Sequence, residues 1–163
     1  MRYTMSSQWS LLDRFEITDE SGTPAFDVRG HLGSRLTLHD SSGQQVAEVT
    51  KRMLGDTHEV YVAGDLAAQV RHEGFFGDRY EISAPFGAFE ARGRIAGRDF
   101  ALSQAGMPVA QMDRQFSFRE KFSVDIADQQ NPVFVLAVML AVEAIHDERE
   151  RRQRGAGRGG FGI

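Results

Sequence analysis

At 163 residues the chain is long enough to bury one sizeable core and short for two independent domains. The absence of cysteine excludes a disulfide framework and thiolate metal sites. A formal net charge of -4 argues against general nucleic-acid binding by the whole domain, while leaving room for a local basic face.

The opening, Met1 to Ser10, carries one cation and no apolar run, so no secretory signal is expected and the cysteine-free chain reads as cytoplasmic. Beyond it the chain is built on a seven-residue phrase, apolar-x-x-cation-apolar-x-apolar. This phrase appears at Leu11 to Ile17, Leu32 to Leu38, Phe76 to Ile82 and Phe118 to Val124. A degenerate copy runs from Leu54 to Val60, with Thr57 in the cation's place. Recurrence of this kind means that one supersecondary unit is used several times.

Phe15 to Val28 aligns over Leu36 to Val49 without a gap, which sets Asp19 over Asp40 and Gly22 over Gly43. An Asp with Gly three residues later fits a type I turn, and the alternation Phe15/Ile17 and Leu36/Leu38 before it reads as a half-buried strand. Each unit is therefore a predicted β-hairpin. The returning strand recurs as Val46 to Val49, Ala67 to Val70 and Val109 to Met112, behind turns containing Gly43, Gly64 and Gly106. A further pair, Tyr80 to Ala84 and Phe89 to Ile95, is joined around Pro85 and Gly87. The sum is roughly ten to twelve strands, and closing such a meander into a barrel removes its exposed edges.

Pro132 to His146 breaks this pattern. It is apolar on every face and opens with a proline suited to a first helical turn, so a helix is predicted over 132–147. Its apolar run, Val133 to Val142, spans about 15 Å as a helix, half of the roughly 30 Å that a membrane crossing needs, so burial inside the protein is expected. Residues 148–163 are charged and then Gly-rich, and are expected to form a flexible, solubilising tail. Within that tail Arg158-Gly-Gly-Phe161 is similar to one copy of an arginine–glycine segment that contacts RNA, making RNA association through Arg149 to Ile163 the secondary alternative.

The opening Met1-Arg-Tyr3, the phrase Leu-x-x-Arg-Phe-x-Ile at Leu11 to Ile17, Val49-Thr-Lys-Arg52, and Phe122 to Asp128 followed by an apolar helix together resemble the LURP-one-related family. That family is part of the tubby C-terminal-like group, which includes phospholipid scramblases. The resemblance covers nearly the whole chain. It implies a mainly β fold, a closed antiparallel barrel of about twelve strands around a central hydrophobic C-terminal helix, with residues 1–147 as the barrel unit. Tubby relatives bind phosphoinositides and scramblase relatives are tied to lipid movement and calcium, but a shared fold does not license a shared activity. A scramblase-like calcium segment, a cysteine cluster and a spanning helix after the barrel are all missing, so scrambling is not expected.

Histidines 31, 39, 58, 72 and 146 are scattered, with no HExxH pair and no helical spacing for zinc, and no metal is expected. Nucleophile-elbow, Walker and dinucleotide-binding patterns are also absent, so neither a catalytic residue nor a cofactor is assigned and the chain reads as a non-enzymatic module. Asp125 and Asp128 are expected to end a strand and help cap the helix. Glu143, late in the apolar helix, is expected near the barrel mouth with access to water; a buried, ionised carboxylate there would need a partner.

Hairpin geometry suggests a binding surface. In repeated hairpins every outgoing strand starts, and every returning strand ends, at the same rim. Arg14, Arg35, Arg79 and Lys121 precede outgoing strands, while Arg29, Lys51, Arg52, Arg71 and Arg114 follow returning ones. The hairpin turns, with Asp19, Glu20, Asp40 and Asp65, fall on the opposite rim. The candidate docking set for anionic phospholipid headgroups is therefore Arg14, Arg35, Lys51, Arg52, Arg71, Arg79, Arg114 and Lys121. Against this, Asp13, Asp56, Asp78, Asp113 and Glu120 lie in the same connections and are expected to neutralise much of the patch, which favours a soluble protein-interaction module. Phe75, Phe76, Phe116 and Phe118 are expected to be core, with insertion into an interface as the alternative.

Overall fold

The alternation of the repeated phrase becomes the wall of a barrel. The computed structural model describes residues 1–6, 14–31, 35–53, 55–74, 77–94, 99–115 and 121–159, with the backbone alone at 94, 114, 115, 121 and 156–159. Twelve strands precede one helix: β1 (Arg2–Ser6), β2 (Arg14–Thr18), β3 (Pro24–His31), β4 (Arg35–Asp40), β5 (Gln45–Lys51), β6 (His58–Val62), β7 (Asp65–His72), β8 (Arg79–Ala84), β9 (Gly87–Arg94), β10 (Asp99–Gln104), β11 (Met107–Gln115), β12 (Lys121–Ile126) and α1 (Pro132–Gly159). Each strand pairs antiparallel with its chain neighbours. The barrel closes through β1, which sets Arg2 opposite Asp125 of β12 and Met5 opposite Ile17 of β2.

Every even-numbered strand carries the same inward pair near its start. Phe15/Ile17, Leu36/Leu38, Tyr80/Ile82 and Phe122/Val124 are all buried. β10 supplies a sixth copy, Phe100/Leu102, which escapes the sequence phrase because Asp99 replaces the cation. In β6 the first apolar slot is taken by His58, only 2% exposed.

Four of the five hairpin turns follow two designs. At Asp19 and Asp40 the carbonyl accepts from Gly22 and Gly43 N–H at 3.0 Å, and the carboxylate accepts from the backbone N–H groups two and four residues later. The β6–β7 and β10–β11 connections instead place Ala63 (φ 51) and Ala105 (φ 49) before Gly64 and Gly106, with positive φ at both central positions of each turn. That geometry matches the right-handed strand twist but strains an alanine, at about 1 kcal/mol or more each. A register shift recurs in four of the five hairpins, at Ile17/Thr18, Leu38/His39, Val60/Tyr61 and Leu102/Ser103, which is the same place in the repeat; β8–β9 runs without one.

α1 fills the barrel. Val135, Leu136, Ala137, Val138, Met139, Ala141 and Val142 are completely buried, so a helix apolar on every face meets the inner face of the wall. Asn131 caps it, accepting from Val133 and Phe134 N–H at 3.0 and 3.3 Å. Asp125 and Asp128 do not take that role: Asp125 is held by Arg2 across β1, and Asp128 is exposed. The helix also continues past the expected end at 147, reaching Gly159, because Arg151–Asp147, Arg152–Glu148 and Arg154–Glu150 pair at i, i+4 along its exposed faces. At about 1.5 Å per residue it outreaches the wall and projects beyond it. None of the described helices is long and apolar enough to cross a membrane.

Two stability changes follow. Leu136→Ala should cost about 3 kcal/mol in urea unfolding, since the closed wall can collapse little onto the void. Replacing both Ala63 and Ala105 by Asn, which tolerates positive φ, should raise the melting temperature by about 2–4 °C per kcal/mol of strain removed; an unchanged melting temperature would show that the turns are unstrained.

Candidate functional site: the cation rim

The strand directions bring the candidate cations to one end of the barrel. β2, β4, β8 and β12 start there at Arg14, Arg35, Arg79 and Lys121, while β5, β7 and β11 end there near Lys51, Arg71 and Arg114. Arg52 follows β5 directly. The side chains of Arg114 and Lys121 lie outside those described, as do Asp13, Glu120, Phe75, Phe76, Phe116 and Phe118.

All six of the described candidate side chains meet a carboxylate. On the outer wall Arg14 and Arg29 both bond Asp27 at 2.9 Å, Arg35 bonds Glu48 at 2.7 Å, and Arg52 lies 3.1 Å from Glu59. Arg71 bonds Glu81 at 2.6 Å, and Arg79 bridges Glu73 and Glu90 at 3.0 and 2.8 Å. Burial opposes ionisation of Asp27, but the hydrogen bonds from Arg14 and Arg29 outweigh it and hold the carboxyl below its ordinary range. The Arg71 hydrogen bond lowers Glu81 in the same way; at Glu90 burial again opposes and Arg92 with Arg79 prevails. Except for Glu73, the partners of these arginines stand on strands β3, β5, β6, β8 and β9 rather than in the connections. Of the expected neutralisers described, Asp56 and Asp78 serve the helix instead, and Asp113 accepts from Gln111 Nε2 at 3.0 Å.

α1 leaves the barrel through this rim. Glu148 pairs with Lys51, and Arg152 reaches Asp56 and Glu148, each at 3.1 Å. His146, 5% exposed, lies 3.5 Å from Asp78, 3.3 Å from Glu150 and 3.5 Å from the Tyr80 hydroxyl. Asp78 approaches because Gly93 has no side chain: Gly93 N–H donates to the Asp78 carbonyl at 2.6 Å, and a Cβ on Gly93 would sit 2.5 Å from Asp78 Cβ. Burial pushes the Tyr80 phenol well above its ordinary range, so it remains a neutral donor. Burial is also the main reason that His58 is harder to protonate than a free histidine, although nearby Glu148 favours the proton.

Sequence reasoning missed this helix-exit cluster. Its signals were His58 in an apolar slot and the i, i+4 acid–arginine pairs after His146. Glu143, expected to reach water, is 6% exposed and packs with Met5, Phe15, Phe122 and Met139 around a void of about 10 Å³, room for one water at most. No group of three or more His, Asp or Glu among the described residues is arranged to hold a metal.

The histidine gives a pH dependence with a defined sign. The unfolded chain takes up the His58 proton near pH 6.5, while the folded protein resists it, so the unfolded state binds more protons and stability falls as pH drops through that range. His58→Gln should flatten the fall in melting temperature between pH 7 and pH 5. Gly93→Ala should displace Asp78 and lower stability by about 1–3 kcal/mol.

Comparison with known proteins bears on the fold. The X-ray structure of a protein from Arabidopsis thaliana is 20% identical, covers 91% of each chain and superposes with a TM-score of 0.65, which establishes a shared fold. No curated protein matches the chain. The family model described as LURP-one-related matches residues 1–143, from the first strand to the buried half of the helix, and the chain belongs to that family.

Proposed function

We propose that this chain is a non-enzymatic docking module of the cytoplasm that binds anionic phospholipid headgroups, peripherally, through its cation rim. The observation that carries this reading is the convergence of cations: the strand ends bring together Arg14, Arg35, Lys51, Arg52, Arg71 and Arg79, each held by a carboxylate, while the turns at the other rim carry Asp19, Glu20, Asp40 and Asp65 and no cation among them. The helix adds Arg149, Arg151, Arg152 and Arg154 beside the same rim. Since the rim cations hold carboxylates, a headgroup phosphate must displace or share those partners. Binding is then moderate, driven by many weak contacts, and steeply reduced by salt.

The pairing itself supports a second reading, a soluble protein-interaction module whose rim charges are structural. RNA association through Arg149 to Ile163 is the third, and residues 160–163 of that segment lie outside the described ones.

Sedimentation with neutral and anionic vesicles separates them. At low salt each cation near an anionic surface contributes about 1 kcal/mol, so Arg35→Glu with Arg79→Glu should weaken anionic-vesicle binding at least about tenfold. Binding should also collapse toward physiological salt and survive removal of the residues after Glu148. Unchanged binding by the double variant would refute the rim assignment; no binding by the wild type would favour the soluble module.

A further inference from the structure

The turn rim lies opposite the cations of the proposed lipid-docking surface, and its composition is divided. The β2–β3 and β4–β5 tips carry Asp19, Glu20 and Asp40, and Asp128 follows β12 on the same side. The next three tips in sheet order, β6–β7, β8–β9 and β10–β11, carry Leu66, Phe86 and Met107, which are 44%, 61% and 69% exposed. These are three of the five large apolar side chains exposed among the described residues. Their clustering on adjacent tips sets them apart from the scattered apolar exposure of an ordinary surface. The only charge within those three turns is Asp65.

The patch is built rather than loose. Phe86 stands on Phe89 and on Phe134 of the first helical turn, with ring centroids 5.6 and 5.2 Å away, and Gln104 Nε2 donates to its carbonyl at 3.5 Å. Beside these tips a groove of about 790 Å³, reached at Ala105 and Gly106 of the β10–β11 turn and at Ala88 and Phe89 of β9, runs along the outer wall. Its floor at the turn end is small, with Ala88, Ala101, Ser103 and Gly106, and its far end holds Glu90, Glu81 and Glu73 together with Arg92. Those three glutamates already engage Arg71, Arg79 and Arg92, yet an ionised carboxylate offers about four acceptor sites and can take another donor.

The chemistry of the occupant follows from this layout. An anionic bilayer meets the acids Asp19, Glu20, Asp40 and Asp128 on the neighbouring tips, and is repelled. Strand addition is blocked because the barrel is closed and has no free edge. What complements an apolar mouth leading to carboxylates, beside an acidic arc, is a polypeptide. We infer that the turn rim and its groove receive a segment of a partner protein that presents an apolar anchor to Leu66, Phe86 and Met107 and a lysine or arginine to the glutamates.

The test uses the full chain and two labelled model peptides, one alternating Leu with Lys and one alternating Leu with Glu, read by fluorescence anisotropy. The Leu-Lys peptide should bind, and the Leu-Glu peptide should not. Leu66→Ser with Met107→Ser should weaken the Leu-Lys complex about tenfold, the loss expected of an anchor contact, and amide NMR shifts should cluster on the three tips. This double variant avoids the packed Phe86 ring, so a matching melting curve is expected and loss of fold is kept apart from loss of binding. Anionic-vesicle binding should be the same in variant and wild type, and Arg35→Glu should leave peptide binding intact, so the inference and the lipid reading fail separately. Equal peptide affinity in variant and wild type, or equal binding of the Leu-Glu peptide, would overturn it. So would loss of vesicle binding in the variant, which assigns the patch to lipid, or a wild-type dimer abolished by the variant, which assigns it to a second copy.

Discussion

Everything in this structure depends on one contact: an apolar helix inside a wall whose inward residues are equally apolar. A twelve-stranded wall encloses more space than its own side chains fill, and an aqueous interior would leave Phe100, Ile82 and Val60 facing water. α1 removes that water, and in exchange the wall lets a helix without a polar face exist outside a membrane. The wall can therefore vary its outer residues freely, since the inner pair of each even strand and the helix carry the fold.

The same contact forces polar chemistry to the two rims. At the turn rim the helix is capped by Asn131 and covered by Phe134, Phe86 and Phe89. At the cation rim it emerges through Lys51–Glu148, His146–Asp78 and Arg152–Asp56. The lipid reading rests on the cation rim and the apolar anchor of the peptide reading on the turn rim for this reason: the helix fills the interior, and the rims are where charge and exposed apolar surface gather.

Much of the architecture is legible in the chain because it obeys periods. The phrase repeats, the Asp-x-x-Gly turns repeat, and Pro132 to His146 is apolar beyond what a half-exposed helix allows. What stayed hidden obeys no period. Asp99 in the cation slot concealed the sixth copy, and Ala63 and Ala105 gave no sign of their positive φ, since alanine is not the residue those positions favour. The helix extension beyond 147 rests on i, i+4 charge pairs that also suit a solvated tail. Glu143 looked too costly to bury, and its environment is assembled from β1, β2, β11 and β12, far apart in sequence. For the rim, the positions of the cations could be read from strand direction. Their partners could not, because Asp27, Glu48, Glu81 and Glu90 become neighbours only through the strand register.

Chain order gives the helix one more consequence. The wall is made first and its filling last, and the seam between β1 and β12 joins the two most distant strands. Until α1 is available, the inward faces of up to twelve strands have nothing to bury against, and seam closure carries a large loop-closure entropy. Synthesis therefore passes through a long interval in which a nearly complete wall exposes its lining. A chain interrupted before Pro132 would hold that state permanently, as an aggregation-prone sheet rather than a smaller domain.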